Sequence, residues 1–547
     1  MSNFDIYRDA EGLLGPIALT EKLLALPPIS SDGGLSLYDE PDPIEVPPVL
    51  LAPAPNETEF LFIGGYYVPL SKAEGHTLLV GASGSGKSKL TYPAIGHACA
   101  TLTPGNGLVV IFDLKGDMYP LAHYFSEKQR VPLHYFNVTD SRSVAWDIAR
   151  DGGNYFDILH ELIHILIPSA NAHDPFWTQG AQSVALACAL SLQATHGESW
   201  GLHDLYNACF ASPENLIGFL RRNPENEPVI ERILESDANK TVAGIMMQLS
   251  VSLQAIRLAA AHQYHTPKKN WVSLKDIVHT GGILVIGQKP TSRASSTPIM
   301  RAMFKRLSDL ILDLPEYSHP PTFIYIDEFA YLGQQLPGIT DLLTFSRSKR
   351  CQVYLTVQNI DQLRDNYGPN GSETIVSNCE FQVLMRAGSV ATALWASRLV
   401  GQERVFQPSF SMSAGGFSQN WAFVARERML PNEFQTLRRA SPQHGLEYVF
   451  ISPYSGVART HLSGDRVAYL QPPLSNVPAR VDKAADKYNF PRWNPDLIPV
   501  RMVCGGSSGK ADFVAKSTTE LEYAIRSNVW DLFQNMTDGA TQDFFSN

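Results

Sequence analysis

The sequence predicts an α/β protein, a parallel-rich sheet covered by helices with an all-α domain inserted into it. Three observations predict this. From about residue 60, short apolar runs rich in β-branched residues alternate with helical stretches; between 155 and 275 those runs stop and only helical spacing remains. A glycine-rich loop follows one of the first runs directly and opens an expected helix.

The elements follow in order. Residues 1–58 include PPISSDGGLSLYDEPDPIEVPP, whose prolines and acids disfavour helix and interior strand alike, and are expected to form an acidic, Pro-rich arm. Residues 59–154 form the first part of the sheet domain, with strands at Thr77–Val80 and Leu108–Phe112. The all-α insertion is placed at 155–275, from FDILHELIHILI, TQGAQSVALACALSLQA, LIGFLRRN and VAGIMMQLSVSLQAIRLAAA. Residues 276–470 complete the sheet, with strands at Gly282–Ile286, Thr322–Ile326, Val353–Thr356, Phe381–Met385 and Tyr448–Ile451. Residues 471–547 begin as a Pro-rich linker and end in a polar tail, expected to be peripheral.

Composition narrows the function classes. The formal charge of −10 gives no global attraction for nucleic acid or anionic membrane, so any DNA contact requires a local basic patch. The six cysteines are scattered without a C-x-x-C pair, as suits reduced thiols in a cytoplasm. The N-terminus lacks the basic start and apolar core of a signal peptide, and no stretch holds the roughly 18 uninterrupted apolar residues needed to cross a bilayer. The expectation is a cytoplasmic chain, peripheral to the inner membrane if it reaches it through partners.

Residues 81–88 read G-x-x-x-x-G-K-S, between an apolar strand and a helix start, the context of a P-loop NTPase. Gly81, Ser83, Gly84, Ser85 and Gly86 let backbone N–H groups turn around phosphates, Lys87 adds a positive charge, and Ser88 can ligate Mg²⁺. The expected cofactors are ATP and Mg²⁺. The run Phe323–Ile326 ends in Asp327 and Glu328, the first placed to hold a magnesium shell and the second to orient and deprotonate water. A third strand ends in Gln358, which can reach a γ-phosphate or its water.

Beyond these motifs, residues 75 to 465 resemble the type IV secretion coupling proteins, TraG/TraD-like conjugative ATPases related to FtsK and HerA translocases. LVVIFDLKGDMY is similar to the family's strand ending in Asp-x-Lys-Gly-acid, here Asp113, Lys115, Gly116 and Asp117. Trp146-Asp147 stands where the family has Trp-Asn-Pro, and Asp174-Pro-Phe-Trp177 with Ala181 is similar to its entry into the all-α domain. SRSKRCQVYLTVQNIDQLRDNYG, SRLVGQERV and ARERMLPNEFQTLRRASPQHGLEYVF follow in the family's order. The resemblance implies a RecA-like domain and a homo-hexamer with ATP between subunits. It also implies that Arg347, eleven residues before Gln358, is an arginine finger for a neighbour. The implied partners are DNA, single- or double-stranded, a relaxase or other secretion substrate, and type IV channel components. Family members usually begin with two membrane-spanning helices where the acidic arm stands here. Two other functions are compatible with the same motor: a soluble FtsK/HerA-like DNA pump in DNA processing or defence, and a nucleotide-assembled adaptor for protein substrates.

Three further motifs are set aside. His160-Glu-Leu-Ile-His164 matches a zinc-protease helix but lacks a third ligand at the required spacing. GGSSGKA near the C-terminus has Cys504 and Ala511 where a phosphate loop needs Gly and Ser/Thr. Residues 290–298, PTSRASSTP, are expected to be a loop after a strand, with Arg293 a candidate for DNA phosphates.

Overall fold

The computed structural model describes residues 60–492, apart from 70–72, 74, 154, 169–174, 236–238, 334, 414–415 and 455. The acidic arm, Asp174, Cys504 and the GGSSGKA segment lie outside the described residues. The described chain divides into two compact units. The first holds residues up to Leu133, Thr280–Gly287 and Ile311–Ala479; the second holds His134–His279, Gln288–Leu310 and the segment from Arg480.

The first unit opens with an antiparallel hairpin, β1 (Phe60–Ile63) and β2 (Tyr66–Pro69). Its main sheet is built from β3 (Thr77–Val80), β4 (Leu108–Asp113), β5 (Gly282–Gly287), β6 (Thr322–Ile326), β7 (Cys351–Val357) and β8 (Phe381–Leu384). These pair in the order β8-β3-β7-β6-β4-β5, all parallel. Every residue of β3, β4, β5 and β6 is buried, which is why these strands read as unbroken apolar runs: a parallel sheet is covered on both faces. Strand β9 (Gln402–Ser413) pairs with β10 (Gly416–Glu427) in a separate two-stranded ribbon of twelve register pairs. Strands β11 (Leu446–Ser452) and β12 (Gly456–Leu462) extend the main sheet antiparallel beyond β8.

Parallel pairing sends all six C-terminal strand ends to one edge, and the register sets what meets there. Val357 lies opposite Val80, Leu355 opposite Ile326, and Phe112 opposite Ile326. The residues at or just past these strand ends therefore lie along one edge: Gly81, Gln358, Asp327 and, as the last residue of β4, Asp113.

The second unit is helical. Its longest inner helix, Phe176–His196, is lined by small residues that let neighbours approach: a Cβ on Gly180 would run into Ile245, and one on Gly244 into Trp177. The sequence places the insertion at 155–275, whereas the compact unit also takes in 134–154 and 288–310, and a buried carboxylate ties the chain just before 155 to the chain near 275. Asp151 accepts hydrogen bonds from Trp146 Nε1 (2.6 Å), Ser273 Oγ (2.6 Å), Leu274 N (2.8 Å) and Lys275 N (3.1 Å), so the chain entering the helical segment is tied to the chain leaving it. Two-residue parallel strands at Ala145–Trp146 and Trp271–Val272 add to that tie.

Residues 290–298 are not a loop. A 3₁₀ turn at Pro290–Ser292 runs into the helix Arg293–Leu312, where Ser296 and Thr297 return their hydroxyls to the carbonyls of Ser292 and Arg293. In this way polar residues that favour turns are absorbed into a helix start. The segment after Arg480, expected to be a peripheral linker, packs on the helical unit. Phe490 lies against Tyr206 and Tyr264, and the Arg492 guanidinium sits 4.3 Å from the Phe210 ring centroid.

Among the described residues one helical run, Lys240–His265, is long and apolar enough by composition to cross a membrane. It is interrupted by a 3₁₀ turn at Gln254–Ile256, and it buries one face, with Ile245, Leu249, Leu253, Ile256 and Ala260, while Met247 and Val251 are exposed. The five described cysteines are buried and unbridged.

Candidate nucleotide-binding site

The loop after β3 depends on glycine. Gly84 and Gly86 have φ of 75° and 99°, and Gly86 caps the helix Lys87–Ala100. A Cβ on Gly86 would also run into Leu446 and Ala440, whereas nothing lies within 4 Å of one on Gly84, so the loop crest is open. The helix leaves the first-turn N–H groups of Lys87 and Ser88 without intrahelical partners and pointing toward that crest. Lys87 is buried and donates from Nζ to Gly81 O at 2.6 Å. Burial and, secondarily, the Lys115 charge lower its pKa, while Glu328 and Asp327 oppose the shift. Ser83 and Gly84 are exposed, and Ser85 Oγ is turned inward to Met385 Sδ.

The acids stand across from the loop. Asp327 is buried; its Oδ2 lies 2.7 Å from Lys115 Nζ, and its Oδ1 accepts from Thr356 Oγ1 at 3.2 Å. The same Thr356 hydroxyl accepts from Glu328 N at 2.9 Å, so one β7 side chain fixes both acids. Glu328 adopts a left-handed conformation (φ 62°), rare for a side chain of this size, which aims the carboxylate off the strand. Gln358 donates from Nε2 to Glu328 Oε2 at 3.0 Å. The other oxygen, Glu328 Oε1, is buried and has no hydrogen-bond partner among the described residues. Burial raises the Glu328 pKa, against the lowering effects of Gln358 and Lys87.

Asp113 has a separate task. Its carboxylate accepts from Gly116 N (2.7 Å), Asp117 N (3.2 Å) and Met118 N (2.9 Å), folding the chain after β4 into a tight turn with Gly116 at φ 77°. That turn presents Lys115 to Asp327. Burial and the neighbouring Asp117 push the Asp113 carboxyl up to about 6, while its three N–H donors pull it down.

These groups fit a phosphate chain with a divalent cation: an open glycine crest, free helix N–H groups, a lysine, the Ser88 hydroxyl in the first turn, and a buried carboxylate oxygen lacking a partner. Arg347 is not among them. It precedes β7, and its Nη1 lies 2.8 Å from Glu380 Oε1, in front of β8. It therefore stands at the N-terminal edge of the sheet, while Gln358 stands at the other end of the same strand, about 20 Å away at the usual rise per residue.

Sequence reasoning missed Thr356 and assigned no role to Lys115. The signal for Thr356 was a single hydroxyl in an otherwise apolar strand end, two residues before Gln358. No sequence spacing pairs Lys115 with Asp327, since their meeting depends on the β4–β6 register. The H-E-x-x-H helix places the His160 and His164 ring centroids 4.0 Å apart, but Glu161 is paired with Lys305 at 2.8 Å. No group of three possible metal ligands occurs among the described residues.

Comparison with known proteins bears on the family and the fold. The chain is 24% identical over 418 residues to the conjugal transfer protein TraG of Escherichia coli; the match covers 70% of this chain and 64% of that relative's length. Its fold is similar to that of the bacterial conjugative coupling protein TrwB in an unbound form, with a TM-score of 0.61 and 20% identity over 78% of this chain and 91% of that one. TrwB structures in complex with the GTP analogue GDPNP and with ADP and Mg²⁺ give TM-scores of 0.60, also at 20% identity, over 77% of this chain and 92% of theirs. Residues 61–441 match the family described as the type IV secretion-system coupling protein DNA-binding domain, and with most of its length inside that match the chain belongs to the type IV coupling protein family.

Proposed function

We propose that this chain is a P-loop ATPase of the coupling class, using ATP hydrolysis to recruit DNA or a relaxase–DNA complex and move it toward a conjugation or secretion channel. The observation that carries the reading is the convergence of the Gly81–Ser88 loop with the Asp327, Glu328, Thr356 and Gln358 cluster at one edge of a parallel sheet. Family membership and the nucleotide complexes of TrwB support it.

In this reading the loop N–H groups and Lys87 hold the phosphates. Ser88 and Asp327 would hold Mg²⁺, which when bound neutralises phosphate charge and orients the phosphate oxygens. Glu328 takes a proton from the attacking water at Oε1, the oxygen that Gln358 leaves free. Gln358, anchored on the other oxygen, holds the carboxylate in line and registers whether the terminal phosphate is present. Arg347 acts from a neighbouring copy in a homo-hexamer, because its place at the opposite sheet edge keeps it from its own loop. The partners on this reading are DNA, a relaxase or other substrate, and channel components.

The test is steady-state ATP hydrolysis with and without single- and double-stranded DNA. DNA-stimulated turnover that disappears in Lys87→Ala is expected, and Glu328→Gln should retain nucleotide affinity while losing turnover by about 100-fold or more. Turnover indifferent to DNA would overturn the motor reading, and wild-type turnover in Glu328→Gln would overturn the role of that residue.

A further inference from the structure

Lys115 is the second lysine of the site, and nothing in the loop motif requires it. Its ammonium lies 2.7 Å from Asp327 Oδ2, while the other Asp327 oxygen takes the Thr356 hydroxyl. The residue expected to hold a magnesium shell therefore has one oxygen hydrogen-bonded and the other, which no hydrogen bond satisfies, in ion-pair contact with the ammonium. The turn that delivers Lys115 is purpose-built: three backbone N–H groups converge on Asp113, and Gly116 takes a left-handed conformation at φ 77°. Lys115 itself is 40% exposed against 3% for Asp327, so the lysine can leave and the aspartate cannot.

The neighbouring charges give the pair a purpose. Lys87 and Lys115 face Asp327 and Glu328, and Asp117 of the same turn adds a further carboxylate near Lys115, so the Lys115 ammonium is the group that stands between Asp327 and an arriving cation. A divalent cation that approached Asp327 alone would meet an ammonium in contact range, and the repulsion in a partly buried site is strong. A nucleotide that brings its phosphates with the cation offers Lys115 another anion, so the ammonium can transfer without being left unpaired.

From this geometry we infer that Lys115 is a positioning residue that guards Asp327, blocking divalent cation alone and releasing the carboxylate when phosphate oxygens arrive to take the ammonium. The inference rests on the nucleotide reading above. It assigns to the Asp113–Asp117 turn the order in which the ligands are accepted: cation together with nucleotide, not cation first.

The test uses the full chain without nucleotide, titrated with MgCl₂ and followed by thermal unfolding, with CaCl₂ and NaCl at matched ionic strength as controls. Wild type and Lys115→Arg, which keeps the charge, are expected to show no magnesium-specific stabilisation. Lys115→Met leaves Asp327 without its cation and should show saturable stabilisation, with a midpoint at least about tenfold below any wild-type response. Lys115→Met/Asp327→Asn should lose that stabilisation again, which separates a magnesium site from a general salt effect. A second readout is the affinity of a fluorescent ADP analogue with and without Mg²⁺. Magnesium should improve binding in wild type, and in Lys115→Met the analogue should no longer be needed for the cation to bind. A Lys115→Met chain as indifferent to Mg²⁺ alone as wild type would overturn the proposal. If wild type fails to bind the analogue at all, the nucleotide reading falls, while the magnesium-only arms still decide whether Lys115 shields Asp327.

Discussion

Gly86 answers two demands with one missing side chain. Its φ of 99° lies in the region that disfavours any Cβ, and the space a Cβ would need is filled by Leu446 and Ala440. Both demands come from the same event: the chain leaves β3 and must start a helix within a few residues, with its N–H groups turned toward the loop. Gly86→Ala should therefore cost about 1–3 kcal/mol of stability, from strain and displaced neighbours. It should weaken nucleotide binding by about tenfold or more, because the Lys87 and Ser88 N–H groups would be re-aimed. Denaturant unfolding and titration with a fluorescent nucleotide check the two effects separately. Gly84→Ala is the contrast, because its φ of 75° carries strain but nothing occupies the space around it, so it should be the milder change.

At the scale of elements, β3 is pinned at its start by a histidine. His76 Nε2 donates to Leu343 O at 3.0 Å and its Nδ1 accepts from Val353 N at 3.0 Å, so the neutral imidazole joins the helix Ile339–Phe345 to β7 in front of β3. Burial, reinforced by the Arg347 charge, pulls its pKa down to about 4 from 6.5, against the Leu343 carbonyl. In the window from 6.5 to about 4 the unfolded chain binds the proton and the folded chain does not. His76 therefore gives its full support above pH 6.5 and loses it as pH falls through that window, by up to about 3 kcal/mol. Comparing unfolding free energies of wild type and His76→Gln at pH 7.5 and pH 4.5 should show a smaller acid loss in the variant. His262, held down to about 3 by burial, titrates in the same direction, so the comparison must be between variants and not between pH values alone.

How much of these elements was legible follows from what each is made of. Strands β4 and β6 are buried on both faces and announce themselves as apolar runs, and the phosphate loop announces itself by its glycines. The ribbon β9–β10 was not legible as strands, because serines, glutamines and glycines dilute its pattern and no sheet face demands an alternation. The helix from Arg293 was hidden behind a turn-like composition. The Lys115–Asp327 pair and the Asp151 hub were invisible for another reason: each joins residues far apart in sequence, and only strand register and chain return bring them together.

For the whole molecule the decisive arrangement is the polarity of the sheet. Parallel strands give it two unlike edges, one with the phosphate loop, Asp327, Glu328 and Gln358, the other with Arg347 and Glu380. A chain that needs both for turnover cannot complete a site alone, since the two ends of β7 do not meet. On the proposed reading a head-to-tail ring would solve this: each copy would offer its arginine edge to the next copy's loop edge, and every site would be shared. Lys87→Ala and Arg347→Ala chains should each be inactive alone. Mixed in equal amounts under assembling conditions, they should regain activity, since a Lys87→Ala subunit still supplies its arginine to an Arg347→Ala neighbour's intact loop. If subunits mix at random, about a quarter of the junctions are competent, and that fraction sets the expected recovery. Glu380→Gln, which removes the carboxylate at Arg347 Nη1 and keeps the guanidinium, should leave the mixing result unchanged. Two variants that co-assemble by light scattering yet stay inactive together would show that Arg347 serves its own chain, and the shared site would have to be abandoned.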